Sequence, residues 1–92
     1  MALIFEIIYH KTVVDDDIPH LSKLWREKVH RAIETKLTTN PDLFGKPLRR
    51  SLKGYRKLRV GDYRIVFRIQ DTRVIIFAIL HRSIVYRTLR TH

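Results

Sequence analysis

The stretch Lys57-Leu58-Arg59-Val60-Gly61-Asp62-Tyr63-Arg64-Ile65-Val66-Phe67 constrains the fold of this chain more than any other. Two runs of extended character meet at Gly61-Asp62, which serves as a two-residue connection although Asp-Gly is the more familiar order. With the turn there, Val60 faces Tyr63, Arg59 faces Arg64, Leu58 faces Ile65 and Lys57 faces Val66. Side chains alternate along each strand, so Lys57, Arg59 and Arg64 share one face. Leu58, Val60, Tyr63, Ile65 and Phe67 line the other. The chain is thereby committed to a sheet with one face on a core and one face charged. Like charges directly opposite each other cost stability, and an anionic ligand would relieve that cost. RNA is the obvious ligand; a solvated face of a basic protein is the plain alternative.

Around this hairpin the pattern predicts an α+β fold. Residues 3–9 are β-branched and aromatic and read as the first strand. Residues 11–18 form a short helix holding the acidic run Asp15-Asp16-Asp17, and Pro19 starts or kinks the next element. From His20 the apolar spacing becomes helical. Leu21, Leu24, Trp25, Val29, Ala32, Ile33 and Leu37 make one stripe, a helix of roughly five turns. The helical part is thus a helical hairpin or one long helix, stopped by Asn40-Pro41. Residues 42–47 read as a loop and 48–53 as a short strand. The hairpin strands come next, at 55–60 and 63–69. Residues 73–80 are almost wholly apolar, the mark of a strand central in its sheet or covered on both faces. A last short element carries Val85, Tyr86 and Leu89. The expected architecture is a small single domain over residues 1–92, an N-terminal strand, helices, then an antiparallel three- to four-stranded meander.

Ninety-two residues with 45% hydrophobic content allow one modest core. Nineteen Lys and Arg against nine Asp and Glu give a formal charge of +10, which suits nucleic acid, acidic protein segments or anionic surfaces. There is no cysteine, so disulfides, thiolate chemistry and zinc–thiolate sites are excluded. The first residues read as a strand and not as a signal peptide, and no apolar run reaches the length of a membrane span. A soluble cytoplasmic protein is expected, with no membrane partner.

The histidines have no zinc-motif spacing, and consecutive carboxylates at Asp15 to Asp17 point in different directions and read as a solvated helix start, so neither metal nor other cofactor is expected. No phosphate-binding glycine loop or nucleophile elbow is present. What remains is metal-free chemistry on a phosphate backbone. Cleavage beside a 2′-hydroxyl needs a proton acceptor, charge for the crowded phosphorane and a donor for the departing 5′-oxygen. Lys57, Arg59 and Arg64 supply charge. An amine among cations is easier to deprotonate, which qualifies Lys57 as a base. Tyr86 could donate to the leaving oxygen, stack on an exposed base, or be a core aromatic. Histidine is the side chain whose unperturbed pKa lies near neutrality, which makes His81 a candidate, or it serves a structural role. Tyr55 shares the Lys57 face and could stack on a base. Lys53 and Arg56 extend the basic run, part of which is simply solvated. Trp25→Ala should cost about 3 to 5 kcal/mol if Trp25 is fully buried. Replacing Arg64 should leave stability unchanged or slightly improved.

The chain resembles the RelE/ParE superfamily of bacterial and archaeal type II toxins over nearly its whole length. The resemblance rests on the helix followed by Asn40-Pro41-Asp42-Leu43-Phe44-Gly45-Lys46-Pro47-Leu48, then Leu52-Lys53-Gly54, then the hairpin stretch, and finally His81-Arg82 with Val85-Tyr86. It implies a RelE-like, microbial-ribonuclease-type fold. In the RelE branch it further implies a toxin that enters the ribosomal A site and cuts mRNA without metal. Carried over by motif, the catalytic roles fall on Lys57, Arg64, Arg82 and Tyr86. RNA and phosphate contacts fall on Arg59, Tyr55, Arg56, Lys53 and His81. Tyr55 stands where that branch commonly has a lysine, and Arg82 matches a second arginine before the final tyrosine. The resemblance also implies a cognate acidic antitoxin, with DNA bound only indirectly through it. The ParE branch offers another activity, poisoning of DNA gyrase without RNA cleavage. An inactive relative that merely binds RNA or antitoxin is the third.

Overall fold

The computed structural model describes residues 4–47 and 54–83. Five strands form one sheet: β1 (Glu6–Tyr9), β2 (Lys46–Pro47), β3 (Tyr55–Val60), β4 (Tyr63–Gln70) and β5 (Arg73–His81). Their spatial order is β1-β5-β4-β3-β2. Strands β2 to β5 pair antiparallel as an unbroken meander, and β1 joins the far edge of β5 in parallel. The nearly all-apolar β5 therefore lies between two neighbours, as its composition predicts.

Two helices, α1 (Lys23–Ala32) and α2 (Pro41–Phe44), and two wide helical turns, Val13–Asp17 and Ile33–Leu37, make up the helical part. Ser22, itself extended, caps α1, and its hydroxyl accepts from the Trp25 N–H at 3.3 Å. The apolar face of α1 is Trp25, Val29, Ala32 and Ile33, a helical repeat. Leu21 is buried from outside the helix, ahead of the cap, so Leu24 falls off the stripe and is 58% exposed. The expected membership of Leu24 in that stripe is corrected on this ground. Beyond Ala32 the coil widens to π winding. Hydroxyls of Thr35, Thr38 and Thr39 there donate to the carbonyls of Arg31, Glu34 and Thr35, competing for main-chain acceptors.

Val13, Leu21, Val29, Ile33 and Leu37 close over Leu58, Ile65, Phe67, Val74, Ile76 and Ile79 to form one core between the helices and one sheet face. At roughly 1.5 to 3 kcal/mol for each fully buried aliphatic or aromatic side chain, this layer holds the helices to the sheet. A bulge opposite Val66 and Phe67 inserts Phe77 as an extra residue in β5. The acidic run is not merely a solvated helix start. Strand β1 ends at Tyr9, opposite Ile76, and beyond it Asp17 Oδ2 accepts the Ile79 N–H at 2.9 Å. One carboxylate thus takes the place of a strand at the end of β5.

Residues 42–47, expected as a loop, contain most of α2 and all of β2. Proline at the first helical position favours the helical turn, and Lys46 and Pro47 pair with Lys57 and Arg56. The strand expected at 48–53 and the element expected around Val85, Tyr86 and Leu89 lie outside the described residues. No helix among the described residues is long and apolar enough to cross a membrane.

Candidate functional site

The hairpin forms in the expected register, Val60 with Tyr63, Arg59 with Arg64, Leu58 with Ile65 and Lys57 with Val66. Leu58, Ile65 and Phe67 enter the core, and Lys57, Arg59 and Arg64 alternate with them along the two strands. The opposed arginines are held apart from mutual repulsion by a shared acceptor. Gly61 O receives Arg64 Nη1 at 3.1 Å and Arg59 Nε at 3.4 Å, and Arg64 Nη1 also reaches Tyr63 O at 3.2 Å. Arg64 is only 7% exposed. A cation so placed supports the turn it bonds, because the Gly61 carbonyl would otherwise lose a charge-assisted bond. The expectation that Arg64 is neutral for stability is therefore corrected.

Lys57, Leu58, Arg59 and Arg64 line a groove of about 410 Å³. Lys36, Phe44 and Lys46 line it with them, and among the described residues no carboxylate does. Each newcomer is placed by a local feature. Lys36 sits in the widened turn after α1, where its ammonium lies 5.6 Å from the centre of the Phe44 ring. Lys46 is brought opposite Lys57 by the two-residue β2. The corner between α2 and β2 is fixed from below. Arg56 Nη1 donates to Gly45 O at 2.9 Å and to Asp42 O at 3.3 Å. Gly45 rests on the buried Phe67 ring, where a β-carbon would overlap Cζ. Five cations in one hollow give it a positive potential that suits an anion. Among the described residues no group of three His, Cys, Asp or Glu side chains is placed to hold a metal ion.

The structure brings together Lys57, Arg59 and Arg64 from the expected set. Tyr55 lies on the same face, edge-on to Phe77 at 5.2 Å and 5.7 Å from the Arg68 guanidinium carbon. Arg56 faces the core side and acts as the strap just described. His81 pairs in register with Tyr63, packs edge-on against it at 5.6 Å and lines a different hollow with Asp16, Asp17 and His20. It is not brought to the groove. Arg82 starts at the hairpin, its N–H donating to Asp62 O at 2.8 Å, with its residue exposed. Lys53 and Tyr86 lie outside the described residues. Lys36, Phe44 and Lys46 escape a reading of sequence pattern. Lys36 sits on the polar side of a helical repeat, and the other two stand in what reads as a loop. Only the pairing of β2 with β3 makes them neighbours of Lys57.

Comparison with known proteins gives a consistent picture. A family model described as the ParE toxin of the type II toxin-antitoxin system parDE matches residues 5–86. Among curated proteins, toxin RelE of Mycobacterium tuberculosis is 49% identical over 53 residues, covering 55% of this chain and 55% of that protein. Toxin RelG of the same organism is 45% identical over 53 residues, covering 55% of this chain and 61% of the other. The chain thus spans about half the length of the curated relatives it matches. Among solved structures, a chain of the toxin-antitoxin complex RelBE2 of M. tuberculosis superposes with a TM-score of 0.81 at 31% identity, covering 88% of this chain and 94% of that one. A chain of the RelB-RelE complex of Methanococcus jannaschii gives a TM-score of 0.65 at 25% identity, covering 86% and 94%.

Proposed function

The chain belongs to the ParE toxin family of type II toxin-antitoxin systems, within the RelE/ParE superfamily, and from that premise we propose that it is a metal-independent, ribosome-dependent endoribonuclease that cuts mRNA in the A site and halts translation. The observation that carries this reading is the convergence of five cations in one groove around Lys57, Arg59 and Arg64. Its likeness to the toxins RelE and RelG points the same way within the superfamily.

In the proposed reaction the 2′-oxygen attacks the adjacent phosphorus as its proton is taken up, the O2′–P bond forms, and the P–O5′ bond breaks. Lys57, as the neutral amine, accepts the 2′ proton. Arg64 and Arg59 neutralise the phosphorane, and their attachment to Gly61 O means little reorganisation is needed when charge builds. Arg82 adds charge, and Tyr86 donates its phenol proton to the departing 5′-oxygen. A cognate acidic antitoxin is the expected partner. The RelBE2 and RelB-RelE structures are toxin-antitoxin complexes, and a charge of +10 favours long-range attraction to an acidic chain. Action on ribosome and mRNA implies the cytoplasm, with DNA bound only through the antitoxin.

A second reading, a DNA gyrase poison that cuts no RNA, rests on the family model being that of a ParE toxin. Mapping of mRNA 5′ ends in a translation reaction, with and without ribosomes and with Tyr86→Phe alongside, separates the two. Cuts confined to translated message and weakened in the variant support the nuclease. Intact message in every lane overturns it, and a supercoiling and cleavage-complex assay then tests the gyrase reading.

A further inference from the structure

We infer that Phe44, flanked by Lys36 and Lys46, is a base-stacking wall, so that the groove grips single-stranded RNA by one base as well as by its phosphates. The inference rests on the nuclease reading for its ligand and adds an aromatic residue, Phe44, to which that reading gives no role. Phe44 is 43% exposed in a chain whose core takes most of its large apolar side chains. Its position is nonetheless fixed. The following residue, Gly45, is packed on Phe67 with no room for a β-carbon, and Arg56 holds the carbonyls of Asp42 and Gly45. A half-exposed aromatic on a tied-down corner offers a flat surface at little entropic cost on binding.

Charge completes the argument. The Lys36 ammonium lies within cation–π range of the ring, at 5.6 Å, and Lys46 stands opposite Lys57 across β2 and β3. An aromatic ring set among cations, in the hollow that Lys57, Arg59 and Arg64 also line, has the make-up of a single-strand binding groove, in which phosphates meet cations and bases meet rings. An acidic peptide would use the cations but has no need of the flat ring.

The test uses the full chain and a fluorescein-labelled eight-nucleotide RNA carrying one 2-aminopurine. Phe44→Leu keeps apolar bulk and removes the aromatic face; Phe44→Trp keeps the face. We expect Phe44→Leu to bind the RNA at least fivefold more weakly, and to lose the 2-aminopurine quenching that wild type and Phe44→Trp give. Unchanged RNA affinity with quenching intact in Phe44→Leu overturns the inference. So does a loss of affinity for a polyglutamate peptide unaccompanied by any loss for RNA, which assigns the groove to an acidic partner. Melting temperatures of both variants verify the fold, and Lys46→Ala, in the same groove, should weaken RNA binding without abolishing quenching. The nuclease reading fails separately: RNA binding and quenching as described, with no ribosome-dependent cleavage by wild type, would sink it and leave the stacking wall standing.

Discussion

Gly61 and Trp25 are packed so closely that a β-carbon on the glycine would overlap the indole Cη2 and lie 2.9 Å from Cζ3. Gly61 also has φ +58°, a left-handed conformation that other residues adopt only with strain. The same residue offers its carbonyl to Arg59 and Arg64 on the opposite face. Helix packing and groove charge therefore meet at one turn. Gly61→Ala should lose roughly 1 to 3 kcal/mol of stability and weaken RNA binding as well. A variant as stable as wild type in urea unfolding would contradict the packing.

Trp25 itself is half-buried, against Tyr63 at 5.1 Å and under the Lys28 ammonium at 4.9 Å. The cost expected for a fully buried tryptophan does not apply. Trp25→Ala should lose less than about 3 kcal/mol, read from the thermal midpoint. A chain unfolded at room temperature would show that the indole carries more of the core than its exposure indicates.

Arg64→Ala should lower both activity and stability. With its guanidinium bonded to two carbonyls and almost no exposure, the stability loss should be roughly 1 to 3 kcal/mol. In a domain of this size that is a fall of several degrees in Tm. Arg64→Lys keeps the charge and loses the fork, so calorimetry should place it between wild type and alanine. Equal melting temperatures for all three would return Arg64 to a purely functional role.

Tyr9 gives a pH signature. Burial, and secondarily the charge of Glu34, push its phenol above the ordinary value of 10.0, and its hydroxyl is buried with no hydrogen-bond partner among the described residues. Below pH 10 both folded and unfolded chains hold the proton and the contribution is fully present. As pH climbs from there towards the raised folded value, the unfolded chain ionises first and stability falls. Tyr9→Phe should match or exceed wild type at pH 8, by up to about 1 kcal/mol, and should lose less between pH 9 and 11. Denaturant unfolding across that range gives the difference. Parallel losses in the two proteins would remove Tyr9 as the cause.

Salt should report how many cations meet phosphate. Single-stranded nucleic acid loses about 0.7 in the slope of log affinity against log salt for each contact removed. Five contacting cations give a slope of about −3.5, and the Lys36→Ala, Lys46→Ala double variant about −2. A double variant with the wild-type slope would place both lysines outside the groove's phosphate contacts.

Much of the fold was legible because strand alternation and turn chemistry are local. The register from Lys57 to Val66 came from Gly61-Asp62 alone, and the apolar run in β5 announced a central strand. Leu24 misled, since the helical repeat was counted from Leu21 across a cap that Ser22 provides. Asp17 read as a solvated acid because nothing in its neighbourhood along the chain reveals that β1 stops short of Ile79.

The sequence by itself determined the hairpin, the side of it that carries charge, and the order of strands and helices, all properties of residues within a few positions of one another. The tertiary structure decided where the charge gathers. It buried Arg64 and tied it to Arg59 through one carbonyl, turned Arg56 and His81 away from the groove, and carried Lys36, Phe44 and Lys46 to the side of Lys57. Those placements depend on a two-residue strand pairing and a glycine resting on a core ring. Contacts between segments far apart in the chain leave no periodic trace in it.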